Sequence, residues 1–272
     1  MICSRTITVA ISAACIAGGA LLAATSVAGP EKITFPTGWE QWERYGVVDR
    51  HDTKQYRELY TKGEVVKAVR DGKPIPHGAV LVMAICAAQL DDKGSPARDA
   101  NGRFMKGKPI GVTVMEKRQG WGAEYPAEMR NGEWEYAAFL PDGQPNAKAN
   151  ANIKNCFVCH KPHEKQDFVM SLASLSGTAP GAAVAKRSGP GIVSIAEFLF
   201  GPEKISVKAG DVITWTNTDD SPHQVTVRGQ TELRSPVLLK GQNTAIQFSQ
   251  VGSYGYICGL HPNMKGTIEV TK

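Results

Sequence analysis

The sequence predicts a mainly β protein of two domains in series behind a removable leader. Three observations predict this. At 272 residues the chain is long for one domain and comfortable for two. Residues 176–190 are rich in Ser, Gly, Ala and Pro, lack apolar periodicity and divide the chain. On both sides of that divide, short β-branched and aromatic runs recur between Gly, Pro and Asn turn signals.

The leader is read from residues 1–28. Arg5 supplies the charged start, Ile7 to Ala24 is apolar, and Ser26-Val27-Ala28 is an A-x-A-like cleavage site. The expectation is a signal peptide over 1–28, a first domain over 29–175, a flexible linker over 176–190 and a second domain over 191–272. Nothing after the leader is apolar for the ~20 residues of a membrane helix, so no stable membrane span is expected once it is cleaved. Export to a bacterial periplasm is the expected destination. The formal net charge is +5, and no Lys/Arg run is dense enough to suggest nucleic acid. From Gly191 onward seven acids balance seven bases, so the positive excess belongs to the first domain and the linker.

In the first domain, Glu64 to Arg70 has helical composition and stops at Asp71-Gly72. Ala79 to Ala87 is an unbroken apolar run bounded by turn formers and predicts a buried strand. Val112 to Lys117 and Trp134 to Leu140 are further strands. Phe168, Val169, Leu172 and Leu175 carry helical spacing, which predicts a helix there. In the second domain, strands are expected at Ile205–Val207, Val212–Trp215, Val225–Val227, Ala245–Phe248, Tyr254–Ile257 and Thr267–Val270, forming an antiparallel sandwich.

Six cysteines are present, and Cys3 and Cys15 leave with the leader. Cys156-Phe157-Val158-Cys159-His160 is a C-x-x-C-H haem-attachment pattern. Cys156 and Cys159 would bond the haem vinyl groups, and His160 would be the proximal iron ligand. A zinc site would want a second ligand pair; His163 is nearby but no further Cys is. For the sixth iron position the candidates are His77, Met83, Met105, Met115 and His163; His163 is too close to His160 in sequence to reach the opposite face easily, and each Met reads more readily as core packing than as a ligand. Cys86 keeps no cysteine partner, so no structural disulfide is expected.

The second pattern is Cys258-Gly259-Leu260-His261-Pro262-Asn263-Met264, with His223 upstream. Two His, one Cys and a weak axial Met are the donor set of a blue-copper centre. Each residue alone reads blandly, as core thiol, surface imidazole or packed thioether. All four in a strand-rich domain of this length predict type-1 copper.

Around these residues the chain resembles two families. Residues 192–272 resemble the cupredoxins of the amicyanin and plastocyanin type, through Asp211 to Asn217, Pro222-His223 and the C-x-x-H-x-x-M loop. The resemblance implies a Greek-key sandwich, His261 as the partly exposed ligand that passes electrons, and Leu260 and Pro262 in an apolar rim. Gln224 stands where those proteins usually carry Asn, which questions a bond between the ligand loops. Residues 37–175 resemble the cytochrome c′-beta and cytochrome P-460 family. The match runs through Trp42, Tyr56 to Tyr60, Gly78 to Met83, Val114 to Lys117 and Trp134. It implies a β-rich, α+β, mono-haem c-type domain, with a tendency to homodimerise through it. Met83 occupies the place of a lysine that crosslinks to haem in the P-460 branch. Residues 146–155 contain no Asp or Glu where hydroxylamine-oxidising members need a carboxylate. Both departures favour the branch that binds nitric oxide. Arg57 and Met83 are the candidate haem-pocket residues, Arg57 reading equally as a distal donor, a propionate partner or a structural arginine.

The expected function is electron transfer between haem c and type-1 copper, with redox proteins as partners. Two alternatives stand beside it. One is a nitric oxide binder or sensor without turnover. The other is a hydroxylamine or nitric oxide oxidoreductase with copper as electron acceptor.

Overall fold

The computed structural model describes residues 29–178, 191–229 and 233–272. The predicted leader and residues 179–190 of the linker lie outside the described residues.

The first domain is one antiparallel sheet in sequential order, a meander of β1 (Glu43–Arg50), β2 (Gln55–Thr61), β3 (Val80–Ala88), β4 (Lys106–Lys117) and β5 (Trp134–Phe139). Helix α1 (Gly63–Arg70) bridges β2 and β3. It buries Val65, Val66 and Val69 and ends in Asp71-Gly72, where Gly72 takes the left-handed conformation that stops helices. Strand β3 reads as a continuous apolar run because both faces of the sheet are covered. One face packs with Ile33, Trp39, Val82, Ala84, Val112, Val114 and Phe139. The other packs with Leu81, Met115, Trp134, Tyr136, Phe157 and Leu175. Three short helices follow: α2 (Ala147–Asn150), α3 (Lys154–His160) and α4 (Leu172–Leu175).

The helix expected over Phe168 to Leu175 is confined to α4. Asp167 and Phe168 have φ of 51° and 60°, left-handed values that no helix continues through. Strands β1 and β2 were not among the expected strands; their polar residues hide the alternation.

The second domain is a sandwich of two four-stranded sheets. Its strands are β6 (Ile192–Ala196), β7 (Leu199–Gly201), β8 (Lys204–Lys208), β9 (Val212–Asn217), β10 (Val225–Val227), β11 (Asn243–Gln247), β12 (Gly252–Cys258) and β13 (Lys265–Thr271). The sheet orders are β10-β12-β13-β8 and β11-β9-β6-β7. The sandwich is mixed rather than purely antiparallel, since β8 pairs parallel with β13 and β6 parallel with β9. Between the sheets lie Val193, Ile195, Ile213, Trp215, Tyr256 and Ile268. Truncating a fully buried aromatic such as Trp215 would cost about 3–5 kcal/mol.

The two domains touch through β1 and the β6–β7 turn. Val48 packs on the second domain's core. The Arg50 guanidinium sits 3.8 Å from the centre of the Phe198 ring. His51 N donates to Glu197 O at 3.4 Å, and His51 Nε2 lies 3.2 Å from Glu197 Oε2. Exposed ion pairs of the Glu197 kind contribute about 0–1 kcal/mol. Phe198 is 3% exposed, buried by its own domain's core as well as by Arg50.

Candidate haem and copper centres

The C-x-x-C-H pattern lies on α3, which places Cys156 and Cys159 one turn apart on one face. His160 ends the helix. Its Nδ1 is 2.7 Å from the Phe168 carbonyl, which the left-handed Phe168 turns toward it. Donating that bond fixes the tautomer and leaves Nε2 free to ligate. Burial pushes the His160 pKa down to about 4, so the ring is neutral at pH 7.

Burial also pushes the Cys156 thiol up to about 11 and raises Cys159. A thiol redox pair would want the opposite shift, toward thiolate.

Cys156 and His160 border a cavity of about 930 Å³. Its floor is one face of the sheet, built by register. Leu59 pairs with Met83 and Met83 with Thr113; Leu81 pairs with Met115 and Met115 with Tyr136. The size and the mostly apolar floor fit a haem, with Cys156 and His160 on the wall. Met83 and Met115 line the cavity, whereas Met105 is 40% exposed and His77 faces Glu133 at 3.4 Å. His163 is buried against Gln166.

Arg57 lies in the cavity wall, and among the described residues no carboxylate is bonded to it. It donates to Gln55 Oε1 from Nε and Nη2, at 3.0 and 2.6 Å, and to Met83 Sδ from Nη1 at 3.9 Å. Burial and the nearby Arg50 charge push its pKa down to about 9. Cys86 is buried on the other face of β3, where burial raises its thiol and Lys106 and Glu58 lie near.

Since Met83 offers a thioether where a crosslink would need an amine nucleophile, a single haem-linked peptide is expected. Proteolysis and mass analysis should find haem on the peptide carrying Cys156 and Cys159 alone. Haem on a second peptide spanning residues 79–87 would refute this.

The second centre gathers His223, from the loop after β9, with Cys258 and His261 at the end of β12. Their donor atoms lie within 4.8 Å of one another. Cys258 Sγ is 3.6 Å from both His223 Nδ1 and His261 Nδ1, and the two Nδ1 atoms are 3.3 Å apart. A first-row metal bonded at ~2.0–2.3 Å to N and S donors leaves them at about this spacing. Met264 is 1% exposed in the same loop, which closes on itself through Cys258 N to Met264 O and Met264 N to His261 O. Burial would raise the Cys258 thiol, but His223 and His261 bring it down to about 5, a thiolate at neutral pH. This donor set and spacing fit copper.

The surroundings hold the ligands. Asn217 is fully buried and its amide donates to Ser221 O and Leu238 O, shaping the loop that presents His223. Asp219 Oδ2 is 2.9 Å from His223 Nε2, which directs Nδ1 toward the metal position. The same carboxylate accepts from Glu197 N and Phe198 N, at 2.5 and 2.9 Å. Phe198 stands edge-on to both ligand rings, its centroid 5.3 Å from His223 and 5.0 Å from His261. Gln224 does join the ligand loops, though by its backbone: Gln224 N donates to Cys258 Sγ at 3.4 Å, and Gly259 N donates to Gln224 O at 2.8 Å. Its side chain bonds Ser235 and Arg234 instead. A Cβ on Gly259 would lie 2.5 Å from Gln224 Oε1, so a side chain there would push the Gln224 amide aside.

The two centres are neighbours. Arg50 stacks on Phe198 and bonds Asp52 through both nitrogens of its fork, and its charge bears on Cys159, as does that of Cys258. Ser194, Phe198, Thr218 and Asp220 of the second domain form the outer wall of the haem-sized cavity. Sequence reasoning missed Asp219, Phe198 and Arg50. A carboxylate four residues before a ligand histidine was a usable signal for Asp219; nothing local marks the other two.

With this geometry in view, the chain can be compared with known proteins. The cytochrome P460 family matches residues 36–171, and the cupredoxin-like domain family matches residues 168–270. Amicyanin-alpha from Methylorubrum extorquens is 35% identical over 113 residues, 38% of this chain and 95% of that protein. Amicyanin from Paracoccus denitrificans is 33% identical over 102 residues, 36% of this chain and 78% of that protein. A copper-containing nitrite reductase from Thermus scotoductus aligns at 26% identity over 35% of this chain, with a TM-score of 0.29; the chain spans only 25% of that enzyme.

Proposed function

We propose, from the premise that the chain belongs to the cytochrome P460 family and ends in an amicyanin-type cupredoxin domain, that it is an exported carrier moving single electrons between its haem and its type-1 copper. Haem and copper supply the one-electron chemistry when bound. The protein's share is placement. Cys156, Cys159 and His160 would hold one centre, and His223, Cys258, His261 and Met264 the other.

The observation that carries the reading is the Arg50–Phe198 contact. Phe198 touches both ligand histidines of the copper position, and Arg50 reaches from it toward Cys159. Arg50 is itself held by Asp52, so the bridge is oriented on both sides. The cupredoxin wall also screens this end of the cavity from water, which lowers the solvent reorganisation that accompanies a charge change.

The experiment is flash or rapid-mixing reduction of the haem with copper oxidised. The blue band should bleach at a rate independent of protein concentration, because tethering replaces an encounter by an effective concentration that reaches roughly millimolar. Phe198→Ala should slow the step and shift the copper spectrum while the haem spectrum stays unchanged, since the ring touches both ligand histidines. Bleaching that scales with protein concentration would sink the reading.

A second reading is favoured by one observation. Arg57 is a cavity-lining guanidinium whose hydrogen bonds among the described residues go to Gln55 and Met83 and to no carboxylate. Such a donor suits nitric oxide or a related small nitrogen ligand held at the open iron position. In that reading the copper domain drains or supplies the electron of a ligand-binding haem. Periplasmic redox proteins are the partners either reading needs, and a homodimer through the haem domain fits both.

A further inference from the structure

Glu135 sits in the middle of β5 and is fully buried. Its carboxylate accepts from Tyr125 Oη at 2.9 and 2.8 Å and from its neighbour Tyr136 N at 3.1 Å. Among the described residues no lysine, arginine or histidine forms an ion pair with it. Lys32 is near, but its ammonium is engaged by Glu124. A buried carboxylate without a cation is expensive, and hydrogen bonds alone offset only part of that cost.

The backbone nitrogen of Gly29 is near enough to favour the Glu135 carboxylate, and the turn Pro30–Lys32 that follows it packs against β5. Gly29 is buried too, with φ 144°. Glu31 folds back over it, so close that a Cβ on Gly29 would lie 2.5 and 2.7 Å from the Glu31 oxygens. Gly29 therefore lies beside two carboxylates, Glu31 and Glu135, and Lys32, the nearby cation, is engaged by Glu124. Gly29 is also the residue that follows Ser26-Val27-Ala28.

We propose that the Gly29 α-ammonium, created when the Ala28–Gly29 bond is cut, docks on Glu135 as a buried ion pair that only the processed chain can form. The reaction is hydrolysis by an export peptidase. Water adds across the amide, its hydroxyl going to the Ala28 carbonyl and its proton to the Gly29 nitrogen. The carbon–nitrogen bond breaks, leaving the Ala28 carboxylate and the Gly29 ammonium. In the uncut chain Gly29 presents a neutral N–H to the same carboxylate. After the cut it presents a full charge, and charge-assisted bonds are about twice as strong as neutral ones. Burial raises the Glu135 pKa, as expected of a carboxylate whose cation has not yet arrived. Maturation would thus lock the edge of β5 from the face opposite the haem cavity.

The inference depends on the export reading only for the position of the cut, and the test separates the two. Intact mass of the exported, cofactor-loaded protein should give a chain beginning at Gly29; another start would overturn the proposal. Inserting Ser-Gly-Ser between Ala28 and Gly29 leaves a cleaved chain whose α-amine is displaced. Its Tm should fall by about 5 °C or more, as expected for breaking a buried charge pair. In a Glu135→Gln background the same insertion should change Tm by less than about 1 °C. An unchanged Tm, or an equal drop in both backgrounds, would overturn the docking. Should Glu135→Gln fail to fold, labelling decides: the α-amine of the native protein should acylate at least tenfold more slowly than in denaturant. An amine that reacts as fast as in the unfolded chain refutes the pair.

Discussion

Cys258→Ala is expected to abolish the intense blue absorption of the oxidised protein and the narrow copper EPR signature with it. The colour arises from a thiolate bonded to Cu(II), and Cys258 is the one thiol at that position. Both ligand imidazoles lie 3.6 Å from its sulfur, so its removal takes away the shared corner of the site. The contrast is Asp219→Asn. That change leaves all four ligands in place and weakens the bond that orients His223. It should keep the colour while costing about 10–100-fold in copper affinity. Measuring EPR on the full chain avoids the overlap with haem absorption. Blue protein from Cys258→Ala would rule out the assigned centre.

Cys156→Ala with Cys159→Ala is expected to eliminate covalent haem altogether, read as haem staining on a denaturing gel. Each single change should retain one thioether and some staining. His160→Ala tests the other half of the motif. It should keep both thioethers and lose the proximal ligand, shifting the absorption spectrum while staining persists. The Phe168 carbonyl and burial make His160 a neutral, oriented ligand, so no neighbouring imidazole substitutes for it easily. His163 is buried against Gln166 and does not line the cavity. Retained staining in the double variant would contradict the attachment reading.

Both donor patterns were legible in the sequence because all their residues but His223 are local. Cys156 to His160 occupy one helical turn and a half, and Cys258 to Met264 one loop. Distances within such segments are nearly fixed by the backbone. Legibility failed where the deciding contact is remote. Phe198 and Arg50 belong to different domains, and neither carries a motif. The predicted helix at Phe168 shrank because periodicity is blind to a left-handed residue needed to aim a carbonyl at His160. The parallel pairing of β6 with β9 and of β8 with β13 escaped for a related reason: alternation marks a strand's faces but not its neighbours. Glu135 escaped because a lone acid in an apolar strand points only to a partner somewhere else.

Asp219 carries a consequence for how this fusion can change over time. One of its oxygens orients the copper-ligand histidine and also receives Phe198 N, while the other receives Glu197 N, on the turn that meets the haem domain. Docking and ligand field therefore share a single hinge-pin. A mutation that loosens the seam between the domains will also reset the metal's environment, and one that retunes the metal will disturb the seam. The cupredoxin cannot drift as an independent cassette or be exchanged for a free-standing cousin without inheriting that pleiotropy. Selection acting on either trait drags the other with it.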